Sequence, residues 1–208
     1  LIAPTGAGKT LAGFLPSLID LAGEKTRRNT PTREGPHTLY ISPLKALAVD
    51  IARNLEAPVA EMGLRISVET RTGDTPVNRR QRQKRIPPDI LLTTPEQVAL
   101  LLADRQAERF FSELEVVVLD ELHALVTSKR GDLLSLGIAG LRRHAPGLRT
   151  VGLSATVADP DGLRSWLVPQ TEPDARTMAE VVEVAGGARP DIRIIDAGER
   201  IPWAGHSA

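Results

Sequence analysis

Five short apolar runs recur along the chain and alternate with longer stretches in which apolar residues have helical spacing. The runs are expected strands and cover residues 38–42, 65–70, 89–93, 116–120 and 150–154. The third and fourth runs are almost continuously hydrophobic, which is typical of parallel strands covered on both faces. The expected helices cover about 44–62, 75–85, 95–109, 132–144 and 159–167. This alternation predicts an α/β fold with a doubly wound, mainly parallel sheet and helices on both faces.

A further helix is predicted near the start of the sequence, directly after a loop of small residues. Leu1 and Ile2 have the character of a strand end, and apolar residues recur at helical spacing from Leu11 to Ala22. The loop between them, residues 3–10, reads Ala-Pro-Thr-Gly-Ala-Gly-Lys-Thr. A strand, a small-residue loop and a helix in this order are the setting of a P-loop, where backbone N–H groups and a helix N-terminus bind phosphate.

Single residues of this loop have predicted roles. Lys9 is expected to reach the β- and γ-phosphates of a nucleotide, and the Thr10 hydroxyl is expected to bind Mg²⁺. Ala3 stands where the strict P-loop pattern has its first glycine. A glycine-rich turn with an exposed lysine is the alternative, but it leaves the flanking strand and helix unexplained. The predicted phosphate-binding residues are Thr5, Gly6, Ala7, Gly8, Lys9 and Thr10.

Composition narrows the class of protein. A chain of 208 residues with 41% hydrophobic and 25% charged residues suits one α/β domain. The formal net charge is zero, so a polyanionic partner would be held by local basic patches. There is no cysteine, which excludes disulfides and thiolate metal sites. With no apolar run of membrane-spanning length and no signal peptide, a cytoplasmic protein is expected.

A short polar cluster follows each of the five expected strands. Ligands of doubly wound sheets bind at the carboxyl ends of the strands, so these clusters are candidate functional loops. Helix capping alone explains one such cluster, but five of them behind a P-loop favour a functional role. The clusters are residues 42–45, 72–74, 93–96, 120–123 and 154–156.

The fourth cluster delivers two carboxylates, Asp120 and Glu121, to the end of a buried strand. A nucleoside triphosphatase needs one carboxylate on the Mg²⁺ and another that orients or deprotonates the attacking water. Asp120 is the predicted metal partner and Glu121 the predicted general base. A charged strand end is the alternative for this pair taken alone, but the P-loop in the same sheet favours catalysis.

Three further residues are candidates for transmitting the state of the nucleotide. His123 lies two residues after Glu121, and Ser154 and Thr156 follow the fifth expected strand. We expect His123 to sense the γ-phosphate and to pass that state to the two hydroxyls. A surface histidine in the first turn of a helix is the alternative.

Taken together, these clusters resemble motifs I, Ia, Ic, Ib, II and III of superfamily 2 DExH-box helicases. The matching segments are APTGAGKT, SPLKALA, RTGD, TTPE, DELH and LSAT, within about residues 1–168. RTGDTP, ILLTTPEQV, DELHAL and the C-terminal IPWAGHSA are similar to the Lhr (large helicase-related) group, in particular its bacterial ligase-associated DNA-repair branch. In this family the alanine at Ala3 is normal.

The resemblance implies an ATP- and Mg²⁺-dependent translocase that grips nucleic acid through its backbone, DNA more than RNA. It implies catalytic roles for Lys9, Asp120 and Glu121, and coupling of hydrolysis to strand movement by Ser154 and Thr156. DNA-repair partners are implied in the same way. The residues at strand-gripping positions of the family are Pro43, Lys45, Thr72, Gly73, Asp74, Thr94, Pro95 and Glu96.

The resemblance also implies a particular domain organisation. Residues 1–185 are expected to form the first RecA-like domain, truncated at its N-terminus, and residues 186–208 a strand and linker toward a second RecA-like domain. The family's adenine-reading segment would precede Leu1, and the arginine fingers would come from the second domain. Since an arginine finger contributes roughly 10³–10⁵ in rate, the chain by itself is expected to be nearly inactive.

Other segments leave alternatives open. Residues 77–85 carry five basic side chains and form either a solvated helix face or a phosphate contact. Residues 23–37 are expected to be a polar loop, either a solvated insertion or a nucleic-acid contact. Trp166 is expected to pack against the sheet, whereas Trp203 and His206 are expected in a disordered tail.

Two other function classes compete with the motor. The first is a nucleotide-dependent clamp that binds nucleic acid without unwinding it. The second is a P-loop enzyme of different chemistry, such as a small-molecule kinase. The DELH and SAT clusters and the three backbone-gripping loops argue against the kinase.

Overall fold

The computed structural model describes residues 1–3, 8–27, 33–155, 157–170 and 176–184, with only the backbone for 24–27. The strands are β1 Thr38–Ile41, β2 Val68–Arg71, β3 Ile90–Thr93, β4 Val116–Leu119 and β5 Arg149–Gly152. The helices are α1 Lys9–Arg27, α2 Lys45–Glu61, α3 Val77–Arg85, α4 Pro95–Leu102, α5 Ala107–Phe111, α6 Leu122–Val126, α7 Lys129–His144 and α8 Pro160–Leu167.

The five strands form one sheet in the order β2-β3-β1-β4-β5, and every pairing is parallel. This confirms the predicted doubly wound α/β fold. The carboxyl ends of parallel strands meet at one edge of the sheet, so the five polar clusters converge there. That edge is called the carboxyl edge below.

The two faces of the sheet are covered by different helices because successive strand residues point to opposite sides. Leu39, Val117 and Leu119 pack with α4–α8, while Tyr40, Val116 and Val118 pack with α1 and α2. All four residues of β1, β3 and β4 are buried, which explains their continuous hydrophobic runs. Trp166 of α8 packs against the first of these cores, as predicted.

The segment Leu1–Ala3 joins the sheet beyond β5. Ile2 forms parallel bridges with Ser154 on one side and with Glu183 on the other. The Ala3 amide donates to the Ser154 carbonyl at 3.2 Å, and the Val184 amide donates to the Ile2 carbonyl at 2.9 Å. The strand that leads into the predicted P-loop is therefore held between two segments from the far part of the chain.

Several boundaries differ from the predictions. The expected helix 95–109 is two helices, because the Asp104 side chain accepts the Gln106 amide at 3.0 Å and turns the chain between α4 and α5. The expected polar loop at 23–37 begins later, since α1 continues to Arg27. The short helix α6 was not predicted. Within the described residues, no helix is both long and apolar enough to cross a membrane. Trp203 and His206 lie outside the described residues.

Candidate functional site

The predicted phosphate-binding element lies between the Ile2 strand and the start of α1. Gly8 has a φ of +74°, a left-handed conformation that favours glycine and lets the chain turn directly into α1. Lys9 is the first residue of α1, and its Nζ donates to the Ala3 carbonyl at 2.7 Å, so the side chain reaches back to the end of the Ile2 strand. Of the other predicted phosphate ligands, Thr5, Gly6 and Ala7 lie outside the described residues.

Asp120 and Glu121 differ sharply in conformation and burial. Asp120 directly follows β4 and is buried, and its amide donates to the Ile41 carbonyl at 2.9 Å. Glu121 is half-buried and has φ 48° and ψ 45°, the one positive φ of a non-glycine residue in the described part of the chain. Such a conformation costs about 1–3 kcal/mol and is concentrated at functional sites.

Tyr40 adds a hydroxyl to this site. Its ring is fully buried and stacks on Phe14 of α1 with centroids 4.7 Å apart. Burial, together with the nearby Asp120 carboxylate, raises the pKa of Tyr40 well above its usual range, whereas the Thr10 hydroxyl acts in the opposite direction. Tyr40 Oη thus lies near both groups, but no described residue forms a hydrogen bond of good geometry with it.

The donor set suits a hard cation. Thr10, Asp120 and Tyr40 bring only oxygen atoms together, and Mg²⁺ prefers oxygen ligands, with waters and substrate phosphates completing its octahedron. The buried Tyr40 hydroxyl, without a well-oriented partner among the described residues, is a group that such a hydrated ion would satisfy. The residues present therefore fit a Mg²⁺-nucleotide complex.

A line of side-chain contacts leads from the general-base candidate to the end of β5. His123 Nε2 lies 3.4 Å from Glu121 Oε2, and His123 Nδ1 lies 3.0 Å from Ser154 Oγ. Ser154 is buried and also pairs with Ile2 through its backbone. The structure thus brings together two of the three residues predicted to couple hydrolysis to movement, His123 and Ser154, with the general-base candidate Glu121. Thr156 lies outside the described residues.

The turn after β2 is rigid because its own hydroxyls and a basic side chain hold it. The Thr72 amide donates to Thr75 Oγ1 at 2.9 Å, and the Asp74 amide donates to Thr72 Oγ1 at 3.3 Å. Arg80 of α3 donates through Nη2 to the Gly73 carbonyl at 2.6 Å. Gly73 and Asp74 are exposed, so this turn presents them at the carboxyl edge.

Two predicted strand-gripping residues bind each other across neighbouring loops. Lys45 Nζ lies 2.7 Å from Asp74 Oδ2, and the side chains are 61% and 71% exposed. An ion pair this exposed contributes little to stability. The pair can therefore open at small cost and release Lys45 to a phosphate.

Arg130 connects the predicted strand-gripping loops after β1 and β3. Its Nε donates to Glu96 Oε1 at 2.6 Å, its Nη2 to Glu96 Oε2 at 3.1 Å and its Nη1 to the Pro43 carbonyl at 2.5 Å. Burial raises the pKa of Glu96, but the hydrogen bonds that its carboxylate accepts from Arg130, the backbone and Thr94, together with the charge of Arg130, outweigh burial and hold that pKa below its usual range. Thr94 and Pro95, which precede Glu96, are buried.

Most basic side chains of helix α3 form ion pairs with carboxylates of the protein. Arg79 Nε and Arg82 Nη2 lie 3.4 and 2.6 Å from Glu69 Oε2, and Lys84 pairs with Asp104. These contacts favour the interpretation of α3 as a solvated, ion-paired face over a dedicated phosphate contact.

A cluster at the opposite edge of the sheet has ligand-like composition. Asp20, His37 and Glu115 each offer one ligand atom, and these three atoms lie within 4.8 Å of one another. Arg149 Nη2, however, lies 2.9 Å from Asp20 Oδ2, and Arg33 Nη2 lies 3.5 Å from Glu115 Oε1. We interpret the cluster as an ion-pair network, since arginines already neutralise both carboxylates.

Sequence reasoning missed Tyr40 and Arg130, and it did not foresee that Arg80 of the basic segment would bind the Gly73 carbonyl. Tyr40 lies in an apolar run, where its hydroxyl was the single signal against a purely structural role. Arg130 is 87 residues from Pro43, and no spacing rule joins positions so far apart.

Comparison with known proteins identifies the family. Residues 1–162 match the model of the DEAD/DEAH box helicases. The chain is 42% identical over 184 residues to the Lhr helicase/uracil glycosylase of Escherichia coli, and 44% identical over 185 residues to the Lhr helicase/probable uracil glycosylase of Mycolicibacterium smegmatis. The alignments cover 80% and 82% of this chain but only 12% of each relative.

Solved structures agree. The Mycobacterium smegmatis helicase Lhr bound to ssDNA and AMP-PNP superposes with a TM-score of 0.72 at 37% identity, covering 88% of this chain and 24% of that one. The DUF1998 helicase MrfA bound to DNA and AMPPNP superposes with a TM-score of 0.67 at 29% identity, covering 80% of this chain and 23% of that one. The chain belongs to the DEAD/DEAH box helicase family.

Proposed function

We propose that the chain is the first motor domain of an ATP-dependent DNA helicase or translocase. The observation that carries the proposal is the line of contacts from Glu121 through His123 to Ser154, beside the Lys9–Thr10 start of α1. A simple phosphate-binding protein has no need to connect its general base to a neighbouring strand end. A motor has that need, because hydrolysis must change the grip on the strand.

In this proposal the chain binds the phosphates of ATP through the loop of Thr5, Gly6, Ala7 and Gly8 and through Lys9. The backbone N–H groups at the start of α1 supply partial positive charge, and Lys9 supplies a full one. Thr10 and Asp120 hold Mg²⁺, which when bound neutralises charge that develops on the phosphate oxygens.

Glu121 is the proposed general base. Asp120 is buried at the end of β4 whereas Glu121 is half-buried, so we assign the first carboxylate to the metal and the second to the proton of the attacking water. His123 contacts the same carboxylate and Ser154, so loss of the γ-phosphate changes the partners of His123 and moves the end of β5. Thr156 is proposed to act with Ser154.

The proposed strand-gripping residues lie in the loops after β1, β2 and β3. Turn N–H groups, short hydroxyls and Lys45 suit contacts to phosphates and sugars, which carry no sequence information. The solved relatives support this assignment, since Lhr and MrfA are described with bound DNA. The proposed contacts are Pro43, Lys45, Thr72, Gly73, Asp74, Thr94, Pro95 and Glu96.

This proposal includes a domain organisation, with the first RecA-like domain at residues 1–185, a following linker and a second RecA-like domain that carries the arginine fingers. It also includes a cytoplasmic location, a role in DNA repair and membership of the ligase-associated branch of the Lhr group. The segment 176–184 pairs with the Ile2 strand through Glu183, which is consistent with a domain that extends to about residue 185.

The deciding experiment measures ATP hydrolysis by the full-length protein with and without single-stranded DNA or RNA. A DNA-dependent increase that exceeds the RNA effect supports the motor. An absence of stimulation contradicts it, and nucleotide-dependent DNA binding without stimulation identifies the clamp. Strand displacement on a partly double-stranded DNA then separates a helicase from a translocase that does not unwind. Phosphate transfer to a small molecule would identify the kinase.

A further inference from the structure

Three hydrogen bonds of Arg130 join parts of the carboxyl edge that are remote in sequence. The guanidinium binds both oxygens of Glu96, after β3, and the carbonyl of Pro43, after β1. Arg130 itself belongs to the first turn of α7, just beyond α6. We propose that Arg130 is a positioning residue that fixes the spacing of two strand-gripping loops and links them to the helix that follows Asp120 and Glu121.

Geometry supports positioning over direct contact with DNA. Three N–H groups of the guanidinium already have acceptors in the protein at 2.5–3.1 Å. The fork is planar and rigid, so the three acceptors are held in a fixed arrangement. The Glu96 carboxylate is likewise occupied, and its negative charge would repel a phosphate. Glu96 therefore contributes to strand binding through the shape of its loop, not through a contact of its carboxylate.

The start of α7 is itself fixed against α6. A Cβ atom on Gly131 would lie 2.3 Å from the Leu125 carbonyl oxygen, so the two helices approach as closely as a glycine allows. The Ser128 side chain accepts the Gly131 amide at 3.3 Å and caps α7. A displacement of α6 at the catalytic edge must therefore move Arg130, and with it the loops of Pro43 and Glu96.

The inference rests on the proposed motor function, and its test is built on DNA-stimulated ATP hydrolysis by the full-length protein. The variant Arg130→Lys keeps the charge but cannot bind both Glu96 oxygens and Pro43 together. We expect it to raise the DNA concentration for half-maximal stimulation about tenfold, as loss of a charge-assisted bidentate bond suggests. The rate without DNA should stay within about twofold, because the hydrogen bonds of Arg130 to described residues go to Glu96 and Pro43 and not to Lys9, Thr10 or Asp120.

Glu96→Gln distinguishes the two roles of Arg130. An amide offers one acceptor oxygen and no charge, so positioning is lost and the half-stimulating DNA concentration should rise as for Arg130→Lys. If Arg130 instead contacted phosphate, freeing it from Glu96 would leave DNA affinity unchanged or tighter, which would overturn the proposal. The double variant should be no worse than the more affected single variant, since both break one interaction.

Salt dependence and a matched control complete the test. Arg130→Lys should leave the slope of log DNA affinity against log salt concentration unchanged. A slope reduced by about 0.7 in Arg130→Ala, with the DNA affinity of Glu96→Gln unchanged, would indicate a phosphate contact instead. Arg143→Lys, near the other end of α7, should match the wild type. If DNA does not stimulate the wild type, the proposed function fails. If DNA stimulates the wild type, and Arg130→Lys and Glu96→Gln need the same DNA concentration as the wild type, only this inference fails.

Discussion

His123 Nδ1 lies 3.0 Å from Ser154 Oγ and thereby connects the loop after β4 with the end of β5. The same imidazole lies 3.4 Å from the Glu121 carboxylate. One side chain therefore contacts both the proposed base and the segment that pairs with the Ile2 strand. We therefore expect a change at the γ-phosphate to reach the end of β5 through His123 alone.

Ser154→Ala should separate hydrolysis from movement. Removing the hydroxyl leaves the phosphate-binding residues intact but deprives His123 of its partner, so we expect ATP hydrolysis to persist while strand displacement falls at least about tenfold. Parallel ATPase and unwinding assays check this. Ser165→Ala, which removes another buried hydroxyl that donates to the Gly162 carbonyl at 3.0 Å, is the matched control. Equal loss of both activities in Ser154→Ala would contradict a coupling role.

Glu121→Gln should bind ATP normally and lose turnover, because an amide cannot accept the proton of the attacking water. General-base removal typically costs about 10²–10⁴ in rate. Nucleotide binding by fluorescence titration and single-turnover hydrolysis measure the two steps separately. Unchanged turnover would remove Glu121 as the base, and Glu108→Gln on the exposed side of α5 controls for loss of charge.

Lys9→Ala should abolish detectable nucleotide binding. The Lys9 side chain reaches the Ala3 carbonyl, and without it the β- and γ-phosphates would lose the one full positive charge that the described part of the predicted P-loop offers. Titration with a fluorescent ATP analogue is the measurement. Lys129→Ala, at the start of α7, tests whether any lysine at a helix N-terminus has the same effect, and we expect it to have none.

Tyr40→Phe should stabilise the nucleotide-free protein and weaken Mg²⁺-ATP binding. The buried hydroxyl has no well-oriented hydrogen bond among the described residues, so its removal relieves a desolvation cost of about 1–3 kcal/mol. The stacking on Phe14 is retained. Thermal unfolding with and without Mg²⁺-ATP measures both effects. A Tyr40→Phe protein that is less stable without nucleotide would show that the hydroxyl is already satisfied.

Stability should depend on the ionisation of Glu96 in acid. Arg130 lowers the pKa of Glu96 in the folded state, so its stabilising contribution is present above the unfolded pKa of about 4.3 and is lost as the pH falls through the lowered value. The difference in unfolding free energy between wild type and Glu96→Gln should therefore shrink below about pH 4. Denaturant titrations from pH 7 to pH 3 measure it. A difference that grows in acid would contradict the sign.

Gly131→Ala should destabilise the protein by about 1–3 kcal/mol, because the new methyl group would meet the Leu125 carbonyl and force α6 and α7 apart. Gly147→Ala is the control, since nothing lies within 4 Å of a Cβ atom there. Unfolding midpoints in denaturant compare the two. If Gly131→Ala were as stable as Gly147→Ala, the rigid link from α6 to Arg130 would be wrong.

The fold was predictable where burial leaves little choice of residues. β1, β3 and β4 are buried throughout, so their composition revealed them, and the parallel order then placed all five polar clusters on one edge. The predicted proximity of Glu121, His123 and Ser154 followed from that topology. The break at Asp104 was missed because a local side-chain turn overrode a continuous helical pattern.

The pairing of Arg130 with distant polar groups could not be predicted. Nothing in the sequence around Arg130 indicates that its partners are Pro43 and Glu96, since that choice depends on how α7 packs at the carboxyl edge. The left-handed Glu121 is similar, because surrounding tertiary contacts impose a conformation that its own preferences disfavour. The motifs indicated candidate functional residues, whereas tertiary packing determines which of their side chains are in contact.

The position of Ile2 between Ser154 and Glu183 has a consequence for how the protein is made. Chains emerge from the ribosome N-terminus first, so the Ile2 strand must wait for both neighbours before it can pair. Contacts this distant in sequence close late and slowly, since a long loop must be ordered first. The Ile2 strand, which leads into the predicted P-loop, is therefore expected to join the sheet late in a nascent chain, after the segments around Ser154 and Glu183 have been made.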